Sequence, residues 1–439
     1  MDIFTSVCWI CCKMRVKYSK FLIIILASSL CLVIFYSKLK NVGPSPRGET
    51  ELLSITSSNL KNNTTTTTVA TTIKKVQSVI PYKLPHLNIS ENFRKFVPKN
   101  GAFWNRKLHA LLRQFDAARN QTFDDPRNRF KCQPESFELL QTNIQDVQSY
   151  PSLYRDFLKG MECRDPPIFI DQPGKCVSGN EEEHIFLLFA IKSAPTHFER
   201  RQAVRETWGK EGTYENGMQV RTVFLLGRSS MDDPSFDKLL SLEAQEFRDL
   251  LIWDFQDSFY NLTLKEHVFF KWMLESCPRV SFVFKGDDDV FANTEAILKH
   301  LNSFEPTKEL SLYTGQIIFE ASPLRDPKIK YYVPQSFYEG PYPPYAGGGG
   351  FLFSGNLLPS LYHVSLYIPF FPIDDVYTGM CFKALGITPV KHDGFKTFDI
   401  REQDRENVCV HKDLLLVHQR NPQQTMRLWR NMHSSMLTC

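Results

Sequence analysis

No long basic run interleaved with aromatics occurs in the chain, and the formal net charge is only +4, so a nucleic-acid partner is set aside. No Gly-x-Gly-x-x-Gly follows the first strand-like run and no Walker sequence occurs; a bound nucleotide is not held by a glycine-rich phosphate loop. No Cys-x-x-Cys zinc pattern occurs among Cys132, Cys163, Cys176, Cys277, Cys381, Cys409 and Cys439. No small-x-small cleavage site follows the apolar run at residues 21–36, which argues against a cleaved signal peptide.

That run, FLIIILASSLCLVIFY, carries no formal charge and is flanked by lysines and one arginine. At ~1.5 Å per residue it spans about 25 Å, close to a thin bilayer of the early secretory pathway. The expectation is a retained signal anchor over residues 21–37, a cytosolic tail over 1–20 that offers Cys8, Cys11 and Cys12 for acylation, and a lumenal remainder. The seven cysteines beyond the anchor then lie where disulfides form, with at least one left unpaired and the connectivity open. Sequons begin at Asn62, Asn63, Asn88, Asn120 and Asn261, and these five are the expected glycosylation sites. Residues 38–100, with the Asn/Thr run at 62–72, read as a disordered stem. Residues 101–180 read as a cap packed on a catalytic domain over 181–439.

From His184 onward the pattern alternates. Apolar runs at 185–191, 220–226, 250–253 and 280–284 read as buried strands, and 236–247 and 262–275 as helices. THFE at 196–199 reads as a capping box opening a further helix. Strands alternating with helices imply an α/β fold with a mostly parallel sheet, whose ligands bind at the carboxyl ends of strands. One such end is VSFVFKGDDDVF at 280–291. Alone, an aspartate triplet reads as a solvated acidic turn; at a strand end it reads as a site, with Asp287 and Asp289 on one side and Asp288 on the other. Hard carboxylate oxygens suit Mg²⁺ or Mn²⁺.

Beyond residue 305, the segments 312–318, 330–333 and 350–353 read as strands. Tyr342 and Tyr345 precede a run of glycines, Gly347 to Gly350, whose aromatic flanks fit close approach to a flat ligand such as a sugar better than a linker. PIDD at 372–375 reads as a helix start with Asp374 as N-cap. One cap needs one acid, which leaves Asp375 free for chemistry. His418 ends the run LLLVH; alone, it is more often structural than a ligand.

Five blocks in order, RRQAVRETWG (200–209), DSFYNLTLK (257–265), FKGDDDV (284–290), YPPY (342–345) and DDVYTG (374–379), resemble the inverting β-1,3-glycosyltransferases of the Golgi. AGGGG (346–350) and PIDD resemble the N-acetylglucosaminyl-transferring members, and IDQPGKC (170–176) with the terminal LTC resembles the branch that extends poly-N-acetyllactosamine. The resemblance implies a GT-A type nucleotide-sugar fold, UDP-GlcNAc as donor, a galactose-terminated glycan as acceptor, and a Golgi membrane location with a lumenal catalytic domain. It implies Asp289 as ligand to Mn²⁺ or Mg²⁺, with His418 as a further ligand and Asp287 or Asp288 at the ribose or the metal waters. It places Lys192, Arg201, Arg205, Asp257, Lys265, Gly348 and Gly349 on the donor side, Tyr342 and Tyr345 on the acceptor side, and Asp375 as catalytic base. A homodimer or a hetero-oligomer with related transferases stays open. So do a UDP-Gal-using transferase, a hydrolase with Asp289 and Asp375 as its carboxylate pair, and a non-catalytic lectin.

Overall fold

The computed structural model describes residues 86–118, 134–178, 181–182, 184–229, 234–304 and 311–439. The expected tail, anchor, most of the stem, and Asn62, Asn63 and Asn120 lie outside them. Among the described residues no helix is long and apolar enough to cross a membrane.

The strands are β1 (Ile168–Ile170), β2 (Ile185–Lys192), β3 (Gln219–Arg228), β4 (Leu250–Gln256), β5 (Val280–Asp287), β6 (Val290–Ala292), β7 (Tyr313–Ile318), β8 (Tyr345–Ser354), β9 (Val390–Lys391), β10 (Phe395–Lys396) and β11 (Leu416–His418). The central sheet runs β1-β4-β3-β2-β5-β8-β7-β9. Its heart, β4-β3-β2-β5, is parallel, as the near-continuous apolar runs require of strands covered on both faces. β8 joins β5 antiparallel, and β7 joins β8 antiparallel, so the sheet is mixed.

Helices α1 (Glu91–Phe96), α2 (Phe103–Ala118), α3 (Ser152–Gly160), α4 (Phe198–Glu206), α5 (Pro234–Phe247), α6 (Leu262–Ser276), α7 (Thr294–Asn302), α8 (Leu358–Ser365), α9 (Asp374–Ala384) and α10 (Pro422–Met432) cover the sheet. Side chains alternate along β2: Leu188 and Ala190 join a core with α1, α2, α3, α6, α8 and α9, while Leu187, Phe189 and Ile191 join one with α4, α5, α7 and α10.

The folded chain starts earlier than the stem boundary at residue 100 implied. Leu87, Ile89, Phe93 and Val97 are buried in the first core. Ser90 donates its N–H to Ala384 O and its hydroxyl to Lys383 O, satisfying carbonyls at the end of α9. Asn88 of this segment is exposed, whereas Asn261 lies half-buried at the start of α6. Disulfides join Cys176 to Cys277 and Cys409 to Cys439, and Cys163 is also disulfide-bonded. Cys381 is a buried free thiol on α9.

Three local expectations need correction. Residues 330–333 make a turn closed by a bridge between Leu324 and Tyr332, not a strand. The strand read at 350–353 begins at Tyr345, so the whole glycine run lies inside β8. α4 has His197 at its N-cap with no side-chain capping bond, so the Thr196 box does not form. The reason is tertiary: the His197 ring meets Asp288 at 2.8 Å.

Candidate active site

β5 ends at Asp287, and the chain turns through Asp288 and Asp289 into β6, which belongs to a second sheet, β10-β11-β6. In that sheet β11 runs antiparallel to β6 and sets His418 opposite Val290. The corner between the sheets opens onto a cleft of about 870 Å³, lined by Lys192, Asp287, the glycines of β8, Asp374, Asp375 and His418.

Ligand atoms of Asp287, Asp289 and His418 lie within 4.8 Å of one another. His418 Nδ1 donates to Thr397 O at 2.9 Å, because a carbonyl can only accept. In the neutral ring Nε2 therefore presents its lone pair, 3.1 Å from Asp289 Oδ1. Two acceptors at that distance require a cation, either a proton on the ring or a metal. Burial works against charge on His418, but Asp289 outweighs it and raises the ring's pKa. Burial likewise works against ionised Asp289, yet His418 and Arg200 hold its pKa below the ordinary value. Two carboxylates and one oriented imidazole fit a borderline-hard divalent ion.

Lys192, at the end of β2, is paired in register with Asp287 of β5. Its buried Nζ donates to Asp374 Oδ2 at 2.8 Å and to Gly348 O at 3.3 Å, and lies 3.1 Å from Asp287 Oδ1. Burial opposes the ammonium, and Asp287 and Asp374 more than compensate. Asp374 is not the N-cap of α9. Ile373 is, without a side-chain bond, and both acids sit in the first turn. The Asp375 carboxylate accepts from Gly348 N at 3.1 Å and from Val376 N at 2.8 Å. Burial and the neighbouring Asp374 push its pKa up to about 7, the range a general base needs near neutrality.

The galactosyltransferase family pattern matches residues 199–393. Human N-acetyllactosaminide β-1,3-N-acetylglucosaminyltransferase 2 is 44% identical over 360 residues, 80% of this chain and 89% of its own length. Mouse UDP-GlcNAc:βGal β-1,3-N-acetylglucosaminyltransferase 8 is 39% identical, covering 80% and 86%. The chain belongs to this family of β-1,3-N-acetylglucosaminyltransferases. Among solved structures, the WbbM bifunctional glycosyltransferase matches 55% of this chain and 47% of its own at 9% identity and TM-score 0.29, too distant to bear on function.

Several residues expected at the donor lie elsewhere in the transferase. Arg201 is 0% exposed and donates to Glu243 and to the carbonyls of Ala194 and Pro195. Arg205 pairs with Glu243 and Asp249. Asp257 and Lys265 do meet, but as a buried clasp: Lys265 donates to Asp257 and Ser193 O, and Asp257 accepts from Gly227 N. Asp288 turns away from the cleft and is taken up by Ser193, His197 and Arg200. These groups brace the loop after β2 and the triplet; they do not line the cleft.

Arg200, which the sequence reading passed over, lies 3.2 Å from Asp289 Oδ2. Helix geometry was the available signal, since successive residues diverge by about 100° and Arg200 and Arg201 cannot share a face. The glycines serve protein packing as well as the cleft. A Cβ at Gly347 would stand 2.6 Å from Thr397 Oγ1, and one at Gly350 2.3 Å from Leu416. Gly348 and Gly349 face Asp375 and His418, at 3.3 Å and 3.5 Å by the same measure. Tyr342 and Tyr345 line the cleft but are nearly buried in an aromatic stack with Tyr338 and Phe371.

Proposed function

We propose that this protein transfers N-acetylglucosamine from UDP-GlcNAc, with inversion, to the 3-hydroxyl of a terminal galactose on glycoprotein or glycolipid glycans, extending poly-N-acetyllactosamine. The observation that carries the reading is a carboxyl with a pKa near neutrality, Asp375, sharing one cleft with Asp287 and His418, which group with Asp289 as candidate metal ligands. The UDP-GlcNAc donor, rather than UDP-Gal, is supported by relatives named as N-acetylglucosaminyltransferases at 44% identity. The fold reads as a GT-A type, and the apolar run at 21–36 as the anchor holding the catalytic part in the Golgi lumen.

In this reading Asp375 takes the proton of the acceptor hydroxyl as that oxygen attacks the anomeric carbon, and the bond to UDP breaks on the opposite face. No enzyme nucleophile is needed. Lys192 holds Asp374 ionised and keeps Asp287 at the end of β5. A divalent ion, Mn²⁺ or Mg²⁺, would be held by Asp289, His418 and Asp287 and would supply Lewis-acid neutralisation of the departing diphosphate. Arg200 adds positive charge behind Asp289.

The test is a donor screen, UDP-GlcNAc against UDP-Gal, on a lactosamine acceptor with and without chelator. Metal-dependent transfer from UDP-GlcNAc is expected. Transfer from UDP-Gal alone would replace the donor assignment, and chelator-resistant glycoside cleavage would replace the reaction class.

A further inference from the structure

Two aromatic rings on the cleft wall are exposed where large apolar side chains are normally buried. Phe398 is 70% exposed and Tyr331 is 47% exposed, and both line the cleft that holds Asp375 and His418. Neither belongs to the sequence blocks that define the family resemblance.

Phe398 sits between two pinned residues. On one side Thr397 donates its N–H and hydroxyl to Gln316 Oε1, at 2.6 and 3.0 Å, and accepts from His418 Nδ1. On the other side Asp399 adopts a left-handed backbone, φ 69°, which is uncommon for a residue other than glycine. The buried Arg420 holds it by donating to its carboxylate at 2.9 Å, and Arg405 pairs with it as well. Such a conformation persists only where the surroundings over-determine it, and it is found at functional sites. Here the pinned turn holds the Phe398 backbone at the open cleft, next to Thr397, the residue that orients His418. Tyr331 is held by an edge contact with Phe259 at 5.5 Å and by Lys330, whose ammonium lies 5.5 Å from its ring centre.

Exposed rings on a pinned backbone are suited to the C–H face of a sugar, which buries apolar area while its hydroxyls stay wet. The donor's diphosphate needs the charged groups in the depth of the corner. The substrate whose chain leads out to solvent is the acceptor. We propose that Phe398 and Tyr331 form an aromatic clamp for the acceptor, stacking on the terminal galactose and the sugar that follows it. This inference rests on the transferase reading of the cleft and assigns the acceptor contacts to these rings in place of Tyr342 and Tyr345.

The test uses the full chain with Phe398→Ala, Tyr331→Ala, and the aromatic exchanges Phe398→Tyr and Phe398→Trp. Initial rates on lactosamine are measured beside UDP release in the absence of acceptor and thermal unfolding. Each alanine variant is expected to raise the acceptor KM by about tenfold, with the KM for UDP-GlcNAc, acceptor-free UDP release and Tm unchanged. The aromatic exchanges retain the wild-type acceptor KM within about twofold. An unchanged acceptor KM in both alanine variants, or an equal fall in acceptor-free UDP release and Tm, overturns the clamp while leaving an active wild type and its functional reading in place. A wild type inert on galactose-terminated acceptors overturns both.

Discussion

Lys192 Nζ donates to Asp374 Oδ2 at 2.8 Å inside the protein, so one ammonium ties the end of β2 to the first turn of α9. The consequence falls on the next residue. Asp374 stays ionised, its pKa below the ordinary value because Lys192 outweighs its burial, and it is Asp375 that bears the like-charge repulsion.

Asp375→Asn is expected to lower kcat by about 10²–10⁴-fold with little change in KM for UDP-GlcNAc, since an amide cannot take the proton. In the wild type kcat/KM falls as pH drops through about 7, where Asp375 protonates. Its folded pKa lies above the ordinary aspartate value of 3.8, so the stability it contributes is complete below about 4 and lost as pH rises through about 7. The asparagine variant should thus gain on the wild type by about 1–3 kcal/mol between pH 5 and pH 8. Calorimetry at the two pH values checks the sign, and a constant difference would remove Asp375 as the raised group.

Asp374→Asn tests the ion pair against a simple cap. Loss of the carboxylate leaves buried Lys192 with Asp287 as its one ion-pair partner and Gly348 O as a hydrogen-bond acceptor, and a stability loss of about 1–3 kcal/mol is expected. Asp375 loses its charged neighbour, so the acid limb of the kcat/KM profile moves to lower pH. A mere helix cap would move neither, because Asn and Asp rank alike there.

Adjacent arginines should part company. Arg201→Met strands buried Glu243 with Arg205 as its remaining partner and is expected to cost about 3–5 kcal/mol in urea unfolding. Arg200→Met, on a partly exposed side chain, costs under about 1 kcal/mol. Equal losses would mean the two share one environment.

Chain starts separate stem from fold. A protein beginning at residue 78 is expected to fold and retain activity once freed of the anchor. One beginning at residue 101 lacks Leu87, Ile89, Phe93 and Val97, buried side chains worth ~1.5–3 kcal/mol each, and is expected to lose most of its stability. Equal Tm values for the two would return this segment to the stem.

The four parallel strands and the helices between them were legible in the sequence, because buried strands write themselves as unbroken apolar runs and amphipathic helices as a 3.6-residue period. The placement of the aspartate triplet at a strand end was legible for the same reason, as was the opposite facing of Asp288. The strand read at 350–353 was begun five residues late, because a run of glycines without side chains has no pattern to read. The run's meaning comes from Thr397, Leu416, Asp375 and His418 arriving from distant segments.

The residue chemistry of the cleft was set by the sequence itself: carboxylates at 287, 289 and 375 and an imidazole at 418, in blocks whose order marks the family. Which of the charged residues line the cleft was decided only by the tertiary structure. Arg201, Arg205, Asp257 and Lys265 have the composition of a donor site, yet they pair with one another or with Glu243 and Asp249 in the interior. Lys192 and Asp374, separated by 182 residues, meet across the cleft. A charge looks the same in a sequence whether it faces a ligand or a buried counter-charge; the difference is the partner that folding brings within about 3 Å, and that partner is set by strand order and register.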